Sequence, residues 1–333
     1  MDTCERRLLN EFQRDFPLVE RPFAALGKRL ATTESWVLST LARHLEEGSV
    51  SRVGAVFRPG AIGVSTLAAM TVPEARLPAV AQFVSTHPEV NHNYEREHAL
   101  NLWFVAAAED GGKLGRLLAA IEDETGLRVI VLPLLADYYI DLGFDLDGAA
   151  KPAAGNAAGD VAQAVISGRD RALIACLQDG LPLMTRPFEA LAQRAGWLGA
   201  GGEREAIVRI ADWLDAGIIK RFGIIVRHWA LGFRANAMCV WDVPAPDADR
   251  LGHALAAEPD VTLCYLRARA RAVWRYNLFC MLHGRDRVEV ETQLAMLTAR
   301  HGLAAYPHAV LFSRRAFKQC GARYVEPAGV AGG

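Results

Sequence analysis

The chain has no apolar run long enough to cross a bilayer. The longest, Val129–Ala136, falls far short of the roughly 20 residues that a spanning helix needs. Behind the basic pair Arg6 and Arg7 there is no apolar stretch, so no secretory signal is expected. No two of the 6 cysteines are spaced Cys-x-x-Cys; Cys4, Cys176, Cys239, Cys264, Cys280 and Cys320 are scattered. That excludes a zinc ribbon and a disulfide framework, and it predicts a reduced, cytoplasmic chain with buried thiols and no membrane partner. An excess of charge of one sign is also missing: 37 Lys and Arg face 38 Asp and Glu, for a net −1. A dedicated polyanion binder usually shows a clearly basic domain. With 51% hydrophobic residues and 23% charged, the chain has apolar surface for a real core, which excludes wholesale disorder.

What is present is a repeat. Pro17-Leu18-Val19-Glu20-Arg21-Pro22-Phe23 returns as Pro182-Leu183-Met184-Thr185-Arg186-Pro187-Phe188. Arg52-Val53-Gly54-Ala55-Val56-Phe57-Arg58 returns as Arg221-Phe222-Gly223-Ile224-Ile225-Val226-Arg227, and Asn101-Leu102-Trp103-Phe104 as Asn277-Leu278-Phe279-Cys280. The offset grows slowly, as small loop insertions would make it. One unit is therefore duplicated, and the length holds four small domains. The Gly- and Ala-rich stretch 143–168, with Pro152 and Asn156, reads as a linker. Fusion of this kind suggests a dimeric ancestor, so the halves are expected to pair within the chain as a pseudo-dimer.

Each unit opens with three short helices. Leu8, Leu9 and Phe12 have helical spacing, and Pro17 ends that helix. Pro22 can open the second, with Phe23, Leu26 and Leu30 on one face. Thr33 can cap the third, whose stripe is Val37, Leu38, Leu41 and Leu45, and Gly48 stops it. A strand over Val50–Val56 completes a winged helix-turn-helix pattern. The rest of the unit reads as strand Ile62–Val72, helix Pro73–His87, strand pair Glu89–Tyr94 and Ala99–Ala107, helix Gly112–Thr125 and strand Leu127–Leu134. That order is βαββαβ, a ferredoxin-like sheet with helices on one face. The fold class is α+β: a tandem duplication of helix-turn-helix (1–59, 169–228) and ferredoxin-like (60–142, 229–325) domains.

A helix-turn-helix suggests DNA. The presumed recognition helices, however, carry Glu34, Glu46 and Glu47 beside Arg43 in one copy, and Glu203, Glu205, Asp212 and Asp215 beside Arg204 and Arg209 in the other. They are at least as acidic as basic, which a phosphate lattice repels. No DNA partner is expected.

The densest polar segment is Asn91-His92-Asn93-Tyr94-Glu95-Arg96-Glu97-His98, at a hairpin between two strands. Loops on rigid scaffolds carry function. His98 stands out, because an imidazole can donate a proton, accept one or bind a metal near neutral pH. The bland alternative is a surface hairpin with satisfied side chains. In the second copy Tyr265 answers Tyr94, Arg267 answers Arg96 and Asn277 answers Asn101. Arg269 falls opposite His98 counting from the tyrosine and Trp274 counting back from the asparagine, so no histidine answers it. Instead Arg267, Arg269, Arg271 and Arg275 cluster beside Trp274, a set that suits a flat polyanion, or equally a solvated basic loop. Arg52 and Arg58, then Arg221, Arg227 and His228, extend the basic residues near each presumed wing.

The architecture resembles Lrp/AsnC transcription factors. Two motif sets, Arg52–Phe57 with Asn91–Val105, and Asn236–Pro244 with Cys264-Tyr265 and Tyr276–Gly284, more specifically resemble siroheme decarboxylase of the fused NirD–NirL type. The likeness covers nearly the whole chain except the linker and tail. It implies a carboxy-lyase of heme d1 biosynthesis that removes CO2 from two acetate side chains of siroheme. The resemblance implies siroheme as the partner molecule, no cofactor beyond the substrate's own iron, and a homologous partner subunit as a further option. On this reading His98 donates the proton or is an axial ligand of the substrate iron, Arg96 positions the reacting carboxylate, and Tyr94 orients. Arg267, Arg269, Arg271 and Arg275 hold the other carboxylates, with Arg52, Arg58, Arg221, Arg227, Asn101, Tyr265 and Asn277 around them. Trp103 or Trp274 stacks on the macrocycle. The second copy lacks the histidine, so one complete site per chain is expected, with His228 as a substitute within that copy. A ligand-sensing regulator and a non-catalytic tetrapyrrole carrier are the competing readings.

Overall fold

The computed structural model describes residues 2–140, 166–227, 232–270 and 272–325. The expected linker lies almost wholly outside the described residues, as do His228 and Arg271. The first copy runs α1 (Thr3–Glu11), α2 (Pro22–Arg29), α3 (Glu34–Glu46), β1 (Val50–Phe57), β2 (Val64–Met70), α4 (Leu77–Thr86), β3 (Val90–Arg96), β4 (Leu102–Ala108), α5 (Gly111–Thr125) and β5 (Val129–Ile140). The second repeats it as α6 (Gly168–Gln178), α7 (Pro187–Arg194), α8 (Gly202–Asp215), β6 (Ile219–Val226), β7 (Ala235–Trp241), α9 (Ala245–Ala257), β8 (Val261–Arg267), β9 (Leu278–Gly284), α10 (Arg287–His301) and β10 (His308–Gln319). Local chemistry sets several boundaries where the sequence placed them. Pro22 sits in the first turn of α2, Thr33 Oγ1 accepts from Trp36 N, and Gly48 takes φ +74°.

The presumed wings differ from the expectation. β1 and β6 pair with each other, antiparallel, as a two-stranded ribbon with Gly54 opposite Gly223. Both outer edges of the ribbon are taken up by the helical units: Leu181 N donates to Val53 O at 2.7 Å, and Ile224 N to Phe12 O at 2.9 Å. A Cβ on Gly223 would lie 2.4 Å from Phe12 O and Gln13 O, so glycine is what lets the chains approach. The two helical units and the ribbon share one core, from Leu8, Phe23 and Leu41 to Leu173, Phe188 and Ile210.

The eight remaining strands are not two sheets but one closed barrel, in the order β10-β3-β4-β2-β5-β8-β9-β7. Closure comes from two long strands, β5, which outruns the sequence pattern, and β10. β5 pairs with β2 over Val129–Pro133, then continues past the expected end at Leu134 to pair with β8. β10 pairs with β7 over His308–Phe312 and with β3 over Ser313–Gln319. The overhang of β5 is anchored by Tyr138, which is buried against Gly252 of α9 and donates to Asp249 Oδ1 at 2.5 Å. Helices α4, α5, α9 and α10 cover the barrel's outside. Part of its interior is solid, packed with Leu67, Trp103, Leu132, Trp274, Phe279 and Leu311.

Candidate active site

The rest of the barrel interior is open. A cavity of about 290 Å³ is lined by residues of both copies, by the β1–β6 ribbon and by the tail after β10. Strand parity decides which side chains reach it. On β3 the alternate positions His92, Tyr94 and Arg96 line the cavity, and on β8 so do Leu263, Tyr265 and Arg267. Opposite them on β4 and β9 stand Trp103 and Val105, then Phe279 and Met281.

The repeat places two guanidiniums in matched surroundings. Arg96 Nη1 donates to Leu311 O of β10 at 3.0 Å, and Arg267 Nη1 donates to Leu132 O of β5 at 3.0 Å. Each lies over the tyrosine two residues before it, at 5.5 Å for Arg96 and 5.0 Å for Arg267. Arg96 is 6% exposed and Arg267 8%. Burial pushes both down to about 10, so both remain cationic at neutral pH. Burial likewise raises the phenols of Tyr94 and Tyr265 above their ordinary value.

The ribbon adds Arg52 and Arg227. Arg52 Nη2 donates to Ala55 O at 3.0 Å, and burial lowers this guanidinium to about 10 as well. The tail crosses over it: a Cβ on Gly321 would touch Arg52 Nη1 at 2.6 Å, and Gln178 Oε1 accepts from Tyr324 N at 2.6 Å. The Nε atoms of Arg52, Arg227 and Arg267 are buried with no hydrogen-bond partner among the described residues. No Asp or Glu lines the cavity among the described residues. Four guanidiniums facing an enclosed space without a carboxylate make a receptor for a polyanion that arrives from outside.

Several residues singled out in the sequence stand elsewhere. His98 is exposed on the β3–β4 hairpin, where its Nδ1 accepts from Leu100 N at 3.0 Å and its ring meets the edge of Trp274 at 5.3 Å. It is not among the cavity-lining residues, and desolvation of the part of its ring that packs on the hairpin lowers its pKa. Asn101 clamps its own hairpin to Val72, accepting at 2.9 Å and donating at 2.8 Å; Asn277 does the same at Val243. Arg269 and Arg275 are held by Asp242, at 2.7 and 2.8 Å, outside the cavity. Arg221 donates to Gln13 O at 2.8 Å, which ties the ribbon to the first helical unit. Arg58 and Trp274 do not line the cavity either. Trp274 is buried against Trp103, with ring centroids 4.9 Å apart, so it supports a lining residue from behind.

Two lining histidines went unsingled. His92 stacks on Tyr94 at 6.2 Å, and His283 Nδ1 lies 3.0 Å from Thr262 Oγ1. The signal for His92 was the period of two that it shares with Tyr94 and Arg96. His98 continues that parity on paper, but the strand ends at Arg96. The arginines of the helical units are mostly committed to acids: Arg21 to Glu34, Arg43 to Glu47, Arg169 to Glu205 and Arg209 to Asp170.

Comparison with known proteins agrees with this architecture. The profile of the AsnC-like ligand binding domain matches residues 61–138 and 230–318, and that of the siroheme decarboxylase NirDL-like HTH domain matches residues 5–50 and 170–220. The siroheme decarboxylase NirDL subunit of Paracoccus pantotrophus is 46% identical, over 98% of this chain and 99% of its own. A crystal structure of the siroheme decarboxylase NirDL superposes with a TM-score of 0.69 at 26% identity, covering 97% of this chain and 94% of that one. Its complex with an iron-uroporphyrin III analogue gives 0.66 at 25% identity, covering 96% and 93%. The chain belongs to the siroheme decarboxylase NirDL family.

Proposed function

We propose that this chain is a carboxy-lyase that removes CO2 from two acetate side chains of siroheme, giving didecarboxysiroheme for heme d1 biosynthesis. The observation that carries the reading is the cavity inside the barrel: four guanidiniums, three phenols and two imidazoles, with no Asp or Glu on the lining among the described residues. The substrate is flat and carries many carboxylates. Arg96, Arg267, Arg52 and Arg227 hold those that do not react, because a carboxylate locked onto a guanidinium is stabilised as an anion and keeps its CO2. Trp103 and Phe279 give the macrocycle an apolar wall. A reacting acetate placed against that wall loses its hydration, which favours the charge-dispersed transition state.

In the step itself, the bond between the acetate methylene carbon and its carboxylate breaks. The electron pair stays on the methylene carbon, next to the conjugated ring, and CO2 leaves. His92 supplies the proton that turns this carbon into a methyl group, and Tyr94, stacked on it, holds the imidazole in place. His92 therefore takes the acid role that the sequence suggested for His98. The reading calls for no resident cofactor, since the iron arrives with the substrate. It places the protein in the cytoplasm, with the halves acting as a pseudo-dimer around one cavity. A DNA-binding role is disfavoured by the paired arginines of α3 and α8. Anaerobic incubation with siroheme, followed by mass analysis of the extracted pigment, tests the proposal. Loss of CO2 supports it, and an unchanged pigment refutes it.

A further inference from the structure

Resting on that reading, we infer that Asn91 seats the reacting acetate beside His92, as a neutral donor that aims the carboxylate without holding it as an anion. The residue reaches the cavity through an irregularity of β3. Val90 pairs with Ala106 and His92 with Val105, so β3 advances two residues while β4 advances one. Asn91 is the extra residue, and such a bulge breaks the alternation that sends neighbours to opposite faces. Asn91 and His92 therefore both line the cavity, although they are consecutive. The bulge is pinned from outside the hairpin, because Asn91 O accepts from Cys320 N, just past β10, at 2.8 Å.

The side chain is not used to hold the fold. Asn91 is 6% exposed, and its Oδ1 is sealed off with no hydrogen-bond partner among the described residues. A buried amide oxygen left without a donor is destabilising, so an asparagine here needs a reason other than packing. That leaves the NH2 end, with its two donors, for the cavity. The second copy shows the contrast. Its β8 carries the same irregularity, with Val261 opposite Leu282 and Leu263 opposite Met281. The extra residue there is Thr262, which does not line the cavity; its hydroxyl donates to Met281 O at 3.1 Å and lies 3.0 Å from His283 Nδ1. One bulge is closed on itself, and the other presents an amide to the ligand.

The chemistry favours a neutral group at this place. The carboxylate that leaves gives up its charge as neutral CO2. A guanidinium holds that charge where it is, which suits Arg96, Arg267, Arg52 and Arg227 for the groups that stay. An amide N–H binds a carboxylate more weakly, fixes its direction and releases it once the carbon–carbon bond breaks. The electron pair remains on the methylene carbon, His92 adds its proton there, and solvent returns a proton to the imidazole. The group that aims the carboxylate and the acid that protonates the carbon are consecutive residues, so both reach one acetate.

The test compares wild type, Asn91→Leu and Asn91→Asp as full chains under anaerobic conditions. Absorbance titration gives the affinity for siroheme, and the mass of the pigment in a single turnover gives the rate of CO2 loss from the bound complex. For Asn91→Leu the inference expects affinity within about fivefold of wild type. It expects CO2 loss to slow by about 10²-fold, as for a misplaced reacting group. Asn91→Asp keeps the shape but sets an anion against the carboxylate, so it is slow at neutral pH. Protonation restores an O–H donor at that place, so its rate relative to wild type rises as pH falls from about 8 towards about 5. A loss caused only by a distorted bulge is the same at every pH, and a flat ratio overturns the inference. So does CO2 loss at the wild-type rate in Asn91→Leu, or weakened binding with a bound complex that reacts normally. If Asn91→Leu does not fold, the Asn91→Asp ratio decides by itself. Wild type that releases no CO2 sinks the underlying reading instead.

Discussion

Replacing Arg96 by Met should make the ligand-free protein more stable while destroying its grip on the tetrapyrrole. Burial pushes the Arg96 guanidinium from its ordinary value down to about 10. At roughly 1.4 kcal/mol per tenfold change, that is a penalty of about 3 kcal/mol for keeping the charge in the barrel. The hydrogen bond to Leu311 O returns about 1–2 kcal/mol, and Met281 Sδ beside Nη2 offers a soft surface for a thioether. Arg96→Met removes the penalty and the bond together, so a gain of about 1–2 kcal/mol is expected in urea unfolding of the unliganded protein. The pH dependence follows from the lowered value. The unfolded chain holds this proton more tightly than the folded one, so the penalty is complete below pH 10 and is relieved only as pH rises above about 10. The gap between variant and wild type should thus be flat around neutrality and close above pH 10. Absorbance titration with siroheme should show affinity falling at least about tenfold, as for a lost charge-assisted pair. A variant that is less stable, or one that binds siroheme as tightly as wild type, refutes the reasoning.

Other outcomes follow from single contacts. Gly252→Ala puts a Cβ 2.1 Å from the Tyr138 ring and should cost about 2–3 kcal/mol in urea unfolding, much of it recovered in the double variant with Tyr138→Ala. Glu258 is held below its ordinary value by Arg300 and His301 against the opposing pull of burial. Its contribution is therefore present above pH 4.5 and lost as pH falls through the lowered value, and Glu258→Gln should flatten the acid limb of the stability curve. His92→Gln should lower turnover by about 10²-fold or more. His98→Ala should leave turnover within about threefold of wild type, since a surface change away from the reacting groups costs little; steady-state assays of both separate the two histidines.

The duplication, the helix starts at Thr33 and Pro22, and the βαββαβ order were legible because each is written in local spacing or in residues seen twice. Barrel closure was not. It depends on β5 running on through Asp137 and Tyr138, whose polarity reads locally as a loop and whose partners, β8 and α9, lie in the other copy. The same limit explains the site. Arg52, Tyr94, Arg96, Trp103, Arg227, Tyr265 and Arg267 were drawn from the sequence and meet in one cavity. The hairpin arginines Arg269 and Arg275 were attractive by density alone, but Asp242, distant in sequence, claims them. Choosing His92 over His98 needed the strand's end point, and a one-residue register decides which face a side chain takes.

The most direct test is the mass of siroheme after anaerobic incubation with wild-type protein and, in parallel, with His92→Gln and a double variant carrying Arg96→Met and Arg267→Met, each shown to be folded. The account expects wild type to remove two CO2 units, His92→Gln to bind the pigment without changing it, and the double arginine variant to leave it unbound. Full decarboxylation by either variant would place the chemistry outside the barrel cavity and contradict the account.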